Sequence, residues 1–114
     1  MSHRIQRVNS LLKKELSQII LREAEIPQGC LVTITRIETS VDLKESKIYL
    51  AILPEEKSEE IIRYFKKIVY FLQQKLNKRL KLNPIPKIIF LKDRESQKAG
   101  RVEEILEELK KEKK

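Results

Sequence analysis

The sequence predicts an α+β domain in which a helix, two strands, a long second helix and a short closing strand follow one another along a single chain. Three observations predict it. Apolar residues recur at steps of three and four over 4–23 and again over 58–80, as on one face of a helix. Between those stretches lie two runs rich in β-branched residues. The four prolines and two glycines fall outside the periodic segments, at Pro27, Gly29, Pro54, Pro84, Pro86 and Gly100, where they punctuate rather than interrupt. A chain of 114 residues with 40% hydrophobic content is enough for one core.

From Arg4 to about Glu23, Ile5, Val8, Leu12, Leu16 and Ile19 form the apolar stripe of the first helix, which Leu11 and Ile20 widen. Arg7, Ser10, Lys14 and Gln18 lie on the opposite side. The helix is expected to stop near Glu25, before the turn signal Pro27-Gln28-Gly29. Val32, Thr33, Ile34, Thr35 and Ile37 mark a strand over 31–38, and Ser46 to Leu53 a second one with Ile48, Leu50 and Ile52 on one face. Thr39 to Leu43 is too long for a two-residue turn, so an antiparallel pair with a wider loop is expected.

Ser58, with Glu59 and Glu60 behind it, has the chemistry of a helix start: a capping hydroxyl followed by first-turn carboxylates. The stripe that follows is Ile61, Phe65, Ile68, Leu72 and Leu76, supported by Ile62, Val69 and Leu80. Without Gly or Pro from Glu55 to Asn83, a continuous helix of about 40 Å is sterically possible. At 100° per residue, however, Phe71 falls to the side of this stripe and Arg79 falls within it, and a break near Tyr70 would repair both. The expectation is therefore a kinked or divided helix, ended by Asn83-Pro84-Ile85-Pro86. Lys87 to Leu91 reads as a buried strand, 93–100 as a polar loop, and Arg101 to Lys113 as a charged helix or tail with a mobile end. The domain thus covers 1–100, with 101–114 as its appendage.

Function is written in the charge. Net charge is +8, yet Ile61 to Lys92 contains no Asp or Glu and nine cations, so the remainder of the chain sums to about minus one. The face of the second helix opposite its core stripe carries Arg63, Lys66, Lys67, Tyr70, Gln74, Asn77 and Lys78. Cations there suit phosphates, whose neutralisation releases counterions, and an exposed tyrosine suits an unpaired base. A solvated Lys-rich face is the ordinary alternative. Ion-pair networks of the kind found on thermophile surfaces need both signs close together, and this segment supplies one.

Other chemistries lack material. His3 and Cys30 are the only histidine and cysteine, too few for a zinc site, a disulfide or a Cys/His nucleophile. Two glycines cannot form a phosphate-binding loop. No segment approaches the ~18 apolar residues of a membrane span, and the amino terminus alternates charge with apolar residues. The expectation is a cytoplasmic, non-enzymatic monomer with no metal, cofactor, small-molecule substrate or membrane partner.

The element order α-β-β-α-(kink)-α-β matches a type II KH-like domain, a three-stranded sheet with helices on one face, but there is no GxxG loop. The chain resembles the ribosome-binding factor A family, which keeps this topology without that loop. The resemblance is carried by Arg4-Ile5-Gln6-Arg7-Val8 leading to Lys14-Glu15-Leu16, by Val41-Asp42-Leu43-Lys44-Glu45-Ser46-Lys47-Ile48-Tyr49-Leu50, by Leu76 to Leu82, and by Ile85-Pro86-Lys87-Ile88-Ile89-Phe90 with Asp93. It spans almost the whole chain. One departure is Ile68-Val69-Tyr70, bulky where the family has an Ala-x-Gly kink. The resemblance implies binding to the free small ribosomal subunit, support of late maturation and processing of its rRNA, and release before translation. RNA contacts are then expected at Arg63, Lys66, Lys67, Tyr70, Lys75, Lys78, Arg79 and Lys81, with Arg4, Arg7 and Lys14 as a second strip. Two alternatives stay open on sequence alone: a KH-like module for other RNA or single-stranded DNA, and a protein-interaction adaptor using the carboxy-terminal helix.

Overall fold

The computed structural model describes residues 3–94; the expected loop over 93–100 lies outside the described residues from 95 onward, as does the whole of the expected helix or tail over 101–114. Helix α1 runs His3–Glu23, strand β1 Leu31–Thr39, strand β2 Glu45–Leu53, helix α2 Ser58–Arg79 after a single 3-10 turn at Glu55–Lys57, and strand β3 Lys87–Lys92. The sheet order is β1-β2-β3, with β1 antiparallel and β3 parallel to the central β2. This is the KH-like arrangement. The parallel pair is possible because α2 carries the chain back between β2 and β3.

One core forms between the inner face of the sheet and the two helices. Val8, Leu12, Leu16 and Ile19 from α1 meet Ile61, Phe65, Leu72 and Leu76 from α2 over Ile34, Ile48, Leu50, Ile52, Ile88 and Phe90. Phe65 sits at its centre, packed edge-on against Tyr64 and Phe90 with ring centroids at 5.7 and 5.2 Å. The two helices run antiparallel, since the α1 end at Glu23 meets Lys75 whereas Glu15, earlier in α1, meets Arg79.

The Ser40-to-Lys44 connection explains its own sequence. Ser40 Oγ donates to Asp42 Oδ1 at 2.7 Å, and the same carboxylate oxygen accepts the Lys44 N–H at 3.1 Å. These bonds hold Asp42 below the usual carboxylate range, the Ser40 hydroxyl having the largest effect and the Lys44 amide the next. Leu43 then takes a left-handed φ of 61°, which turns its side chain into the core. At the other end of the sheet, Asp93 is buried; its N–H donates to the Leu50 carbonyl at 2.8 Å and its carboxylate accepts the hydroxyl of Thr35, at the irregularity in β1.

Three expectations are corrected. The long helix does not break at Tyr70: α2 is continuous from Ser58 to Arg79. The phase slip that suggested a break is absorbed at the helix edge, because Phe71 stays 45% exposed beneath the Lys75 ammonium and Arg79 leans onto α1 instead of entering the core. The helix also ends before the prolines. Leu80 is already extended at φ −97°, ψ 140°, so that its buried side chain and those of Leu82 and Ile85 close the core before β3 begins. Finally, Ser58 does not cap α2; its hydroxyl is buried and has no hydrogen-bond partner among the described residues.

Candidate nucleic-acid interface

Continuity of α2 decides the geometry of the basic face. Over 22 residues the helix keeps one register, so Arg63, Lys66, Lys67, Tyr70, Gln74, Asn77 and Lys78 stay on a single outward side about 22 Å long from Arg63 to Lys78. All seven are exposed, Tyr70 at 74%. The buried stripe on the opposite side fixes the helix against rotation.

The flanks of α2 are engaged elsewhere. On one, Gln73 receives the Ile88 N–H at 2.8 Å and donates to the Pro86 carbonyl at 3.2 Å and to Asn77 Oδ1 at 3.0 Å, tying the start of β3 to the helix. On the other, Lys75 lies 3.8 Å from Glu23 and Arg79 2.9 Å from Glu15, both acids belonging to α1. Lys92 is held by Glu55 at 2.9 Å and Glu59 at 3.5 Å.

The nine cations of the acid-free segment therefore divide by environment. Lys75, Arg79 and Lys92 are neutralised by acids that the fold brings from other elements. Arg63, Lys66, Lys67, Lys78, Lys81 and Lys87 make no ion pair among the described residues, and all are exposed. Of the residues expected at the interface, the structure gathers Arg63, Lys66, Lys67, Tyr70 and Lys78 on one face. Lys81 lies just past the helix end.

Arg4, Arg7 and Lys14 form a second cluster on the exposed side of α1, lining an open groove with Ser10, Leu11 and Leu82. The first turn of α1 has no acid, so the partial positive charge of the helix start adds to these cations. Leu82 belongs to the segment that follows α2, so this groove adjoins the carboxy-terminal end of the basic face. A smaller groove between the helices is lined by Arg22, Lys75, Lys78 and Arg79 with Ile19 and Glu23. Periodicity alone marks Phe71 only as a residue displaced to the side; its exposure next to Tyr70 is a feature that the structure adds. Among the described residues there is no grouping of His, Cys, Asp and Glu fit to hold a metal, and no helix long and apolar enough to cross a membrane.

Fold and surface together define a class: a small KH-like α+β domain without a GxxG loop, with a row of exposed cations on the outer face of α2 and a second cluster of cations on α1. Within that class the family is specific. The family model for ribosome-binding factor A matches residues 4–106, and the chain belongs to that family. It is 32% identical to ribosome-binding factor A of Halothermothrix orenii over 96% of this chain and 90% of that protein. It is 34% identical to the protein of the same name from Caldanaerobacter subterraneus subsp. tengcongensis, over 97% of this chain and 93% of the other. The crystal structure of ribosome-binding factor A from Thermus thermophilus shares the fold, with a TM-score of 0.67 at 22% identity over 77% of this chain and 94% of that one.

Proposed function

We propose that the protein binds the free small ribosomal subunit in the cytoplasm and assists late maturation and processing of its rRNA, as a monomer and without catalysing a covalent step. One observation carries the reading: an uninterrupted helical face with four exposed cations, Arg63, Lys66, Lys67 and Lys78, that have no acidic partner among the described residues. Membership of the ribosome-binding factor A family supports a ribosome as the partner of that face. Preferential binding to one rRNA conformation then shifts the population toward it, which is all a folding assistant requires.

In this reading Arg63, Lys66, Lys67, Lys78 and Lys81 contact phosphates directly, and Arg4, Arg7 and Lys14 extend the track along α1. At Lys75 and Arg79 a phosphate has to compete with Glu23 and Glu15, so these two contribute at the margin of the site. Tyr70 offers a stacking surface within it. Sedimentation of the purified protein with ribosomal particles on a sucrose gradient tests the proposal. Co-migration with free small subunits is expected. Binding to bare RNA but not to subunits would favour a KH-like module with no ribosomal role, and indifference to both would reject the interface.

A further inference from the structure

On α2 every exposed position from Arg63 to Lys78 is charged or carries an amide except two. Tyr70 is 74% exposed and Phe71 45% exposed, adjacent in sequence and about 100° apart around the helix. Among the described residues neither ring packs on another aromatic, and the Lys75 ammonium lies 5.3 Å from the Phe71 centroid. Burial does not account for the pair, because the core beneath is closed by Phe65, Leu72 and Leu76, all fully buried; a base that stacks on Phe71 shares the ring with the Lys75 ammonium.

The strip of helix between the two rings carries Lys67 one turn before them, Gln74 one turn after and Lys78 a further turn on. Two cations about 16 Å apart along the axis thus run between two aromatic surfaces. A nucleic-acid backbone needs a row of cations, and splayed bases need π-faces to either side of it. A duplex keeps its base faces inside its own stack, so it could use the cations but not the rings.

We infer that Tyr70 and Phe71 form a two-sided stacking site for unpaired bases, so that this face of α2 selects single-stranded segments of RNA over double-stranded ones. The inference rests on the RNA-binding reading above and narrows it. A protein partner would also cover exposed aromatics. The exposed cations around the rings and the absence of any acid from Ile61 to Lys92 favour a polyanion.

The test compares a short oligoribonucleotide containing 2-aminopurine with the same strand annealed to its complement, at one salt concentration, using the full chain. The wild-type protein should bind the single strand more tightly and quench its 2-aminopurine emission. Tyr70→Ala combined with Phe71→Ala should weaken single-strand binding at least about fivefold and abolish the quench, since each stacked base contributes on the order of that factor or more. Duplex affinity should be unchanged, and Tyr70→Phe should restore most of the single-strand preference. Circular dichroism of each variant should match wild type, because both side chains are exposed.

If the double variant keeps wild-type affinity and quenching, the stacking site is wrong while the RNA-binding reading stands. Loss of small-subunit association with single-strand affinity intact would assign the rings to a protein contact and overturn the inference. If the wild-type protein binds neither strand form, both readings fall.

Discussion

The guanidinium of Arg79 joins the last turn of α2 to the middle of α1: its Nε lies 2.9 Å from Glu15, and its Nη2 donates to Gln18 Oε1 at 2.6 Å. With side chains 31% and 18% exposed, Arg79 and Glu15 form a partly shielded pair. Arg79→Gln should therefore cost about 1–2 kcal/mol of stability, and a double-mutant cycle with Glu15→Gln in urea melts should show positive coupling. The same substitution should change RNA affinity less than Lys78→Gln. Equal stability of wild type and Arg79→Gln would show that the pair is ornamental.

Lys78 and Arg79 show what the sequence conveys and what it does not. The 3.6-residue period places both on α2 and the β-branched runs locate the strands, because burial on one face is a local property. Which cation remains free is not local. Glu15 and Glu23 reach α2 only once α1 packs antiparallel to it, so the helical period sets Lys75 and Arg79 off the outer face that holds Lys78 without showing that an acid pairs with either. The same reason explains the expected break at Tyr70. The misfit of Phe71 and Arg79 with the core stripe is legible, but a lysine over the Phe71 ring and an ion pair resolve it without bending the helix. The parallel register of β3 on β2 is equally invisible, since it depends on the crossover rather than on any residue in β3.

The bond between Thr35 and Asp93 predicts a stability effect at a site remote from the basic face. Asp93 is 4% exposed, and depriving a buried polar group of a hydrogen-bond partner typically costs about 1–3 kcal/mol. Thr35→Val should lower the free energy of unfolding by roughly 2 kcal/mol. Salt dependence of RNA binding should be unaltered, because neither residue belongs to α1 or α2. A change in that dependence would link the sheet to the interface in a way the structure does not.

Asp42 gives a pH prediction with a defined sign. Its carboxylate is stabilised by the Ser40 hydroxyl and then the Lys44 amide, so its folded pKa lies below the ordinary value of 3.8. A depressed acid contributes stability that is present above its unfolded pKa and is lost as pH falls through the folded value. The loop should loosen only on acidification below about 3.8, and near neutrality the contribution of this group should be fully present and independent of pH. In a carboxyl-carbon NMR titration Asp42 should titrate below an ordinary aspartate, and Ser40→Ala should move it back up. An Asp42 midpoint unmoved by Ser40→Ala would mean that the hydroxyl is not the main cause.

Affinity is expected to reside in the free cations on the outer face of α2, and the salt dependence of binding to purified free small subunits tests this most directly. Each phosphate contact should add about 0.7 to 0.9 to the magnitude of the slope of log K against log salt. Replacing Lys66, Lys67 and Lys78 with Gln should therefore lower that slope by roughly two, with stability changed by no more than about half a kcal/mol. Replacing Lys110, Lys111 and Lys113 with Gln removes the same charge from a segment rich in Glu, and should leave the slope close to that of wild type. Equal losses in the two triple variants would mean that binding follows net charge alone, and would contradict a localised site on α2.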